Sequence, residues 1–141
     1  YVSSKSKYAA WWNSLSCLHV NPEIHVVSTW INDFVNPAII SRAGCAESYI
    51  DDVKKADILL GMATSEDAKV GLTGVYLEIG VALACNVPIL LLGDGWSHNK
   101  LMMQHKYIHY GAIHLVQATY SKDLISAIKQ VIDKHIVMSY Q

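Results

Sequence analysis

One carboxylate stands out because it lies inside a long apolar segment. Glu78 is the only charged residue of Gly74–Ala84 (GVYLEIGVALA), a pattern typical of a buried helix. Burying an unpaired carboxylate is costly or forces the group to take up a proton. The amide N–H groups near the start of the helix favour the anion instead. Because such opposing effects are common where a carboxylate is tuned for chemistry, we predict that Glu78 is catalytic.

A structural role for Glu78 is the alternative interpretation. The side chain could cap a loop, or it could pair with Lys69 or Arg42. Gly74 and Gly80 favour the functional interpretation, since glycine lets a ligand or another backbone approach closely. For Gly80, tight packing of the helix on a sheet would explain the residue equally well.

Composition indicates a small enzyme or binding protein with a small-molecule ligand. The chain has 141 residues, of which 52% are hydrophobic and 16% charged, and this fits one domain with a real core. The net charge is −1, and the sequence contains no basic stripe. We therefore predict neither a nucleic-acid polymer nor a membrane as partner.

The cysteines and the chain start suggest a reducing, cytoplasmic setting. Cys17, Cys45 and Cys85 are odd in number and widely spaced, so we expect core residues rather than disulfides. The polar segment Tyr1–Lys7 does not have the pattern of a signal peptide, so we predict none. No apolar run in the sequence is long enough to span a membrane. The histidines of Ser97–His114 lack regular ligand spacing, and we predict no metal site.

Short β-like runs alternate with helical patterns along the chain. Strands are predicted at Tyr1-Val2, Ile24–Trp30, Asp57–Met62, Pro88–Gly93 and Ala112–Val116. Helices are predicted over Tyr8–Leu18, Cys45–Ala56, Thr73–Cys85 and Ser121–Val137. This alternation predicts a single-domain, three-layer α/β sandwich. Its five-stranded parallel sheet would have the flavodoxin or Rossmann-like order 2-1-3-4-5.

Ligands of such sheets bind beyond the carboxyl ends of the strands. Four segments directly follow the carboxyl ends of predicted strands. They are Ser3–Lys7, Trp30–Asp33, Met62–Gly74 and Gly93–Trp96. We therefore expect the binding site among them.

Three segments carry a family resemblance. They are Ala56–Leu60 (ADILL), Gly74–Ala84 and Val87–Ile89 (VPI). Together they resemble the nucleoside 2-deoxyribosyltransferase superfamily, which includes the 2′-deoxynucleoside 5′-phosphate N-hydrolases. The similarity is clear over roughly residues 43–94 and looser over 1–33. Ser28–Ile31 (STWI) resembles a branch found in phages and bacteria.

The resemblance implies cleavage or transfer at the N-glycosidic bond of a nucleoside or nucleoside monophosphate. Glu78 would attack C1′ of the sugar and form a covalent glycosyl-enzyme, which water or a second base then resolves. No cofactor is implied. Homo-oligomerisation is implied as well, and Tyr8, Trp11 and Trp12 are candidate surface aromatic residues for it.

Candidates for binding the sugar or a 5′-phosphate surround the predicted site. Ser3, Ser4 and Lys5 follow the first strand, where family members place a turn that contacts these groups. Hydroxyl groups and one cation suit a phosphate. Thr73 and Gly74, just before Glu78, could add further contacts.

A second catalytic group and the base-binding residues are less clearly marked. Asp52 is the candidate proton donor, with a solvated helix face as its alternative role. Trp30 and Asp33 are candidates for stacking on and hydrogen-bonding to a base, although Trp30 could equally be a core aromatic residue. His98 is a further candidate acid or base.

One position departs from the family pattern. Many members carry Asp or Ser about six residues before the glutamate, whereas this chain has Leu72. The departure leaves open a second function, a non-catalytic module that binds a nucleotide or a nucleotide-derived signal on the same scaffold. It also leaves hydrolase and transferase undecided.

Overall fold

A computed structural model describes residues 1–19, 21–31, 45–96, 113–116 and 122–139. These residues form an α/β fold with a parallel sheet, as predicted from the sequence. The strands are β1 (Val2–Ser3), β2 (Leu59–Met62), β3 (Ile89–Leu92) and β4 (Ile113–Val116). Within the described part of the chain, the sheet has four strands in the order β1-β2-β3-β4. All three neighbouring pairs are parallel.

Helices connect and flank these strands. They are a 3₁₀ helix (Ser6–Tyr8), α1 (Ala9–Ser14), α2 (Ser16–His19), α3 (Cys45–Lys55), α4 (Ser65–Val70), α5 (Thr73–Ala84) and α6 (Lys122–Ser139). Every side chain of β2 and β3 is buried. Both α5 and α6 pack on β3. Because neighbouring residues of a strand point to opposite faces, the burial of every residue of β2 and β3 shows that both faces of these strands are covered. Leu124, Ile128 and Val131 bury the predicted apolar stripe of α6.

The strand predicted at Ile24–Trp30 is not formed, so this segment does not add a fifth strand to the sheet. Side chains rather than a strand satisfy the free edge of β1. The Val2 N–H donates to Ser28 Oγ (2.7 Å), and Trp30 Nε1 donates to the Val2 carbonyl (2.8 Å). Because both backbone groups of Val2 have partners, no further strand pairs with β1 within the described residues. The other four strands keep the order 1-3-4-5 that the prediction gave them.

Two helical predictions need correction. The helix predicted over Tyr8–Leu18 is interrupted at Leu15, whose backbone is extended. The loop predicted after β2 contains α4, which begins with a capping box. In it, the Thr64 hydroxyl accepts from the Asp67 N–H, and the Asp67 carboxylate accepts from the Thr64 N–H.

The α5 helix is not buried all round, contrary to the sequence-based expectation. Val75, Ile79 and Ala82 face the core, whereas Leu77 is 68% exposed. Cys85, expected in the core, is also exposed. The side chains of Cys17 and Cys45 lie outside the described residues. The same is true of residues 32–44 and of Ser121, where the last helix is predicted to begin.

Candidate active site

The carboxylate of Glu78 is held by two hydroxyl groups from the first strand. Ser3 Oγ donates to Oε1 at 2.8 Å, and the Tyr1 hydroxyl donates to Oε2. Side chains two residues apart in an extended segment point to the same side, so both reach α5. Tyr1 and Ser3 are buried, with exposed fractions of 6% and 0%. The carboxylate therefore has a fixed position at the carboxyl end of β1, where the sequence predicts the site.

Burial raises the pKa of Glu78 from an ordinary value of 4.5 to about 8. The cause is the loss of hydration, which disfavours the charged form. The two hydroxyl groups can serve either protonation state. Both donate to the ionised carboxylate, and one of them accepts when the acid is neutral. Glu78 thus titrates in the range that is useful for acid–base or nucleophilic chemistry near neutral pH.

Two cavities meet at Glu78. The first, about 330 Å³, is called the apolar cavity here because most of its lining is carbon. It is lined by Ser4, Ser6, Trp30, Tyr49, Ile50, Gly74, Leu77, Glu78 and Val81. The second, about 420 Å³, is called the polar cavity. It is lined by Ser4, Lys5, Ser6, Val70, Gly71, Leu72, Thr73, Gly74, Val75 and Glu78. Glu78 therefore separates two environments of different chemistry.

Most of the predicted site residues converge on this carboxylate. Ser3 bonds to it directly, and the others line one or both cavities, namely Ser4, Lys5, Trp30, Thr73 and Gly74. Their roles differ from the expectation in one respect. Ser3 was predicted to contact a sugar or phosphate, but its hydroxyl proton is directed to Glu78. Ser3 is accordingly a positioning residue for the carboxylate.

Asp52 is not brought to Glu78. Its Oδ2 accepts from the backbone N–H and the hydroxyl of Thr29, at 2.9 and 2.7 Å. Asp52 lines neither cavity, and its contacts anchor the irregular segment beside β1. Asp33 and His98 lie outside the described residues, and their predicted roles stay predictions.

The predicted site segment Gly93–Trp96 has structural contacts in this fold. Gly93 adopts a positive φ of 92°, and a Cβ there would lie 2.2 Å from the Ala63 carbonyl oxygen, so only glycine fits. Asp94 accepts from the N–H and hydroxyl of Ser65 at the start of α4. Trp96 is buried and donates to the Leu92 carbonyl. None of these residues lines the two cavities at Glu78.

Sequence reasoning missed several residues of the site. Tyr1 could have been found, because residues two apart in a strand share a face and Ser3 was already a candidate. The apolar lining residues Tyr49, Ile50, Leu77 and Val81 carry no chemical signal in the sequence, since their types are those of ordinary core residues.

The alternative structural roles of Glu78 are partly addressed by the ion pairs. The ammonium group of Lys69 pairs with Glu66 at 3.2 Å, not with Glu78. Arg42 lies outside the described residues. In the described ranges, no cluster of three or more His, Cys, Asp or Glu side chains could hold a metal ion.

No protein-family model, no curated protein and no solved structure matches this chain. The family resemblance therefore stays a prediction, and the functional argument rests on the site itself. Within the described residues, no helix combines the length and the apolar character needed to cross a membrane.

Proposed function

We propose that this protein cleaves or transfers the N-glycosidic bond of a nucleoside or nucleoside 5′-monophosphate through a covalent glycosyl-Glu78 intermediate. One observation carries the proposal. A partly buried carboxylate, fixed by Ser3 and Tyr1, lies where an apolar and a polar cavity meet. A nucleoside has the same division, with a flat base on one side of C1′ and a hydroxylated sugar on the other. Such a substrate places its C1′ at the carboxylate.

In the first step, an ionised Glu78 oxygen attacks C1′. The bond from C1′ to the base nitrogen breaks, and its electron pair stays on the base, which takes up a proton. The two hydroxyl groups keep the carboxylate oriented, so that little reorganisation precedes the attack. Of the predicted acid–base groups, Asp52 lies elsewhere, whereas His98 remains a candidate for this role.

In the second step, water or a free base attacks C1′ of the glycosyl ester, and Glu78 leaves as a carboxylate. The attacking group loses a proton as the new bond forms. Hydrolase and transferase differ only in this acceptor. The apolar cavity must empty of the first base before either acceptor enters.

The polar cavity suits the sugar and a 5′-phosphate. Leu72 is the N-cap residue of α5, and its side chain accepts no hydrogen bond from the first turn. The first N–H groups of this twelve-residue helix therefore have no partner within it. Together with Lys5 and the Thr73 hydroxyl, they favour an anion or hydroxyl groups at the cavity. Leu72 thus removes the family's side-chain ligand but leaves backbone donors.

The test is base release from a panel of deoxynucleosides, ribonucleosides and their monophosphates, with and without a free acceptor base. Glu78→Gln keeps the size of the side chain and one accepting oxygen but removes the nucleophile, so base release is expected to disappear. Glu66→Gln is the matched control, because Glu66 is 77% exposed and its ion pair within the described residues is with Lys69. Base release that survives in Glu78→Gln contradicts the proposal.

The raised pKa of Glu78 favours a second candidate function. With a pKa of about 8, Glu78 is mainly protonated at neutral pH, and a neutral acid is a good hydrogen-bond donor to a ligand. A non-catalytic nucleotide-binding module would use it in this way. Tight nucleotide binding without turnover, in both the native protein and Glu78→Gln, would establish this function instead.

Two further predictions accompany the leading proposal. The resemblance implies a homo-oligomer, and cytoplasmic location is the natural setting for nucleotide chemistry. The aromatic residues suggested for an interface do not fit the structure well. Trp12 is fully buried, and Tyr8 and Trp11 are partly buried. Sedimentation of the whole chain would determine its oligomeric state.

A further inference from the structure

The apolar cavity presents carbon surface from its floor to its rim. Trp30 is 5% exposed at the inner end, whereas Ile50 and Leu77 at the rim are 38% and 68% exposed. A ring that enters between them removes apolar surface on both partners from water, which is the main source of affinity in such a cavity. A volume of about 330 Å³ is sufficient for a bicyclic heteroaromatic ring.

Three of the described side chains that line this cavity already have hydrogen-bond partners. Trp30 Nε1 donates to the Val2 carbonyl. Ser4 Oγ donates to the Lys5 carbonyl and accepts from Trp12 Nε1. Both oxygens of Glu78 accept from β1 and its preceding residue.

Among the described lining residues, the Ser6 hydroxyl and the Gly74 N–H at the start of α5 remain to bind the edge of a base. Sites that select a base by its edge need several fixed donors and acceptors, since unpaired polar groups are what reject the wrong ligand. Such a set is not present in the described part of this cavity.

We infer that the described lining of the apolar cavity selects the leaving base mainly by ring size and apolar contact, rather than by hydrogen bonds to the edge of the base. The inference rests on the proposed function for the identity of the ring as a leaving base. Ring binding itself needs no turnover, so it can be measured separately. A heterocycle without exocyclic donors or acceptors then binds as well as a natural base of the same size.

The experiment compares adenine with benzimidazole and indole, which have bicyclic frames of the same size but lack the exocyclic amino group. Affinities are measured by calorimetry and ligand-observed NMR on the full chain. We expect the dissociation constants of adenine and benzimidazole to agree within about threefold. A stronger preference for adenine overturns the inference, and so does the absence of binding by both rings.

A variant at the rim tests whether the ring binds in this cavity. Leu77→Asn removes exposed apolar surface at the rim and is expected to weaken adenine and benzimidazole alike, by about fivefold. Tyr76→Asn is the control, because Tyr76 is the adjacent residue of α5, is 36% exposed and lines neither cavity. Circular dichroism checks the fold, and Ile50→Asn replaces Leu77→Asn if the latter unfolds. Unchanged affinity in the folded rim variant overturns the inference.

The two proposals fail separately. If base release depends on Glu78 but adenine binds far more tightly than benzimidazole, the inference is wrong and the proposed function stands. If the rings bind alike and no nucleoside is cleaved, the cavity is a ring-binding site without the proposed chemistry. Binding to Glu78→Gln gives the same comparison without turnover.

Discussion

Two carboxylates on successive helices, one fully buried and one partly buried, have opposite environments. Asp67 of α4 is 1% exposed and accepts from the Thr64 N–H (3.0 Å) and the Tyr8 hydroxyl (2.8 Å). The Lys7 ammonium lies 2.9 Å from its other oxygen. Burial alone would raise the pKa of Asp67, but these donors outweigh it and lower the pKa to about 2. Asp67 remains ionised throughout the neutral range.

For Glu78 of α5, hydrogen-bond donors offset less of the cost of burying a charged carboxylate. Its two contacts are neutral hydroxyl groups, and burial raises its pKa to about 8. It borders two cavities, whereas Asp67 lines neither of them. The comparison shows that burial does not by itself mark a functional acid. The number and charge of the donors decide the pKa, and the under-compensated carboxylate is the one beside open space.

The largest expected effect on stability is that of Asp67→Ala. The substitution removes the Asp67 carboxylate from the capping box of α4 and leaves the Thr64 N–H, the Tyr8 hydroxyl and the Lys7 ammonium without their acceptor. We expect the free energy of unfolding to fall by about 3 kcal/mol. Urea denaturation measures the loss. Asp94→Ala removes the acceptor of Ser65 at the same helix and serves as a comparison. An unchanged urea midpoint for Asp67→Ala would contradict the stabilising role of Asp67 in this comparison.

The pH dependence of stability gives the next effect. Because the folded pKa of Glu78 is raised, the folded state binds a proton that the unfolded state has lost between pH 4.5 and about 8. Stability from this group is present below pH 4.5 and is lost as pH rises to about 8. We expect a loss of roughly 2 kcal/mol over this range, after allowing for partial solvent screening.

The measurement is the free energy of unfolding of the native chain and of Glu78→Gln at several pH values. The neutral amide cannot ionise, so the variant should lose less stability between pH 4.5 and 8. Glu66→Gln, at an exposed position, should retain the slope of the native protein. Equal slopes for the native chain and Glu78→Gln would mean that the pKa of Glu78 is not raised.

The pH profile of activity gives a smaller effect and separates the roles of the two tyrosines. A nucleophilic Glu78 must be ionised, so kcat/KM should rise with pH and level off above about 8. Tyr1→Phe removes a hydrogen-bond donor to the ionised carboxylate and should shift the rise of kcat/KM to higher pH. At pH values below this rise, we expect kcat/KM to be roughly tenfold lower than in the native protein. Tyr8→Phe removes a donor to Asp67 and should leave the limb in place. A limb that falls with pH would indicate a general acid instead.

The sequence was sufficient for the parts of the fold that depend on local pattern. The buried strands β2 and β3 and helix α5 follow from continuous apolar runs with breaking residues at their ends. The position of Glu78 at the carboxyl end of β1 follows from the sheet topology. The start of α4 could also have been predicted, because the Thr64 to Asp67 spacing is that of a capping box.

Contacts between distant residues could not be predicted in this way. The segment at Ile24–Trp30 has the β-branched composition of a strand, but Ser28 and Trp30 satisfy β1 through their side chains. Asp67 and Tyr8 are separated by 59 positions, so the sequence pattern does not indicate that a tyrosine holds this carboxylate. For the same reason Asp52 was a candidate catalytic group until its contacts with Thr29 were known.

The smallest expected effect is that of Lys7→Ala, which tests how far the compensation of Asp67 depends on charge. The Lys7 side chain is 59% exposed, so solvent screens its ion pair with Asp67. The partner holds the pKa of Lys7 above its usual value, mainly through their hydrogen bond. The variant should be destabilised much less than Asp67→Ala, and high salt should narrow its difference from the native chain. If Lys7→Ala matched Asp67→Ala in urea denaturation, the ammonium rather than the Thr64 and Tyr8 donors would be what keeps Asp67 ionised.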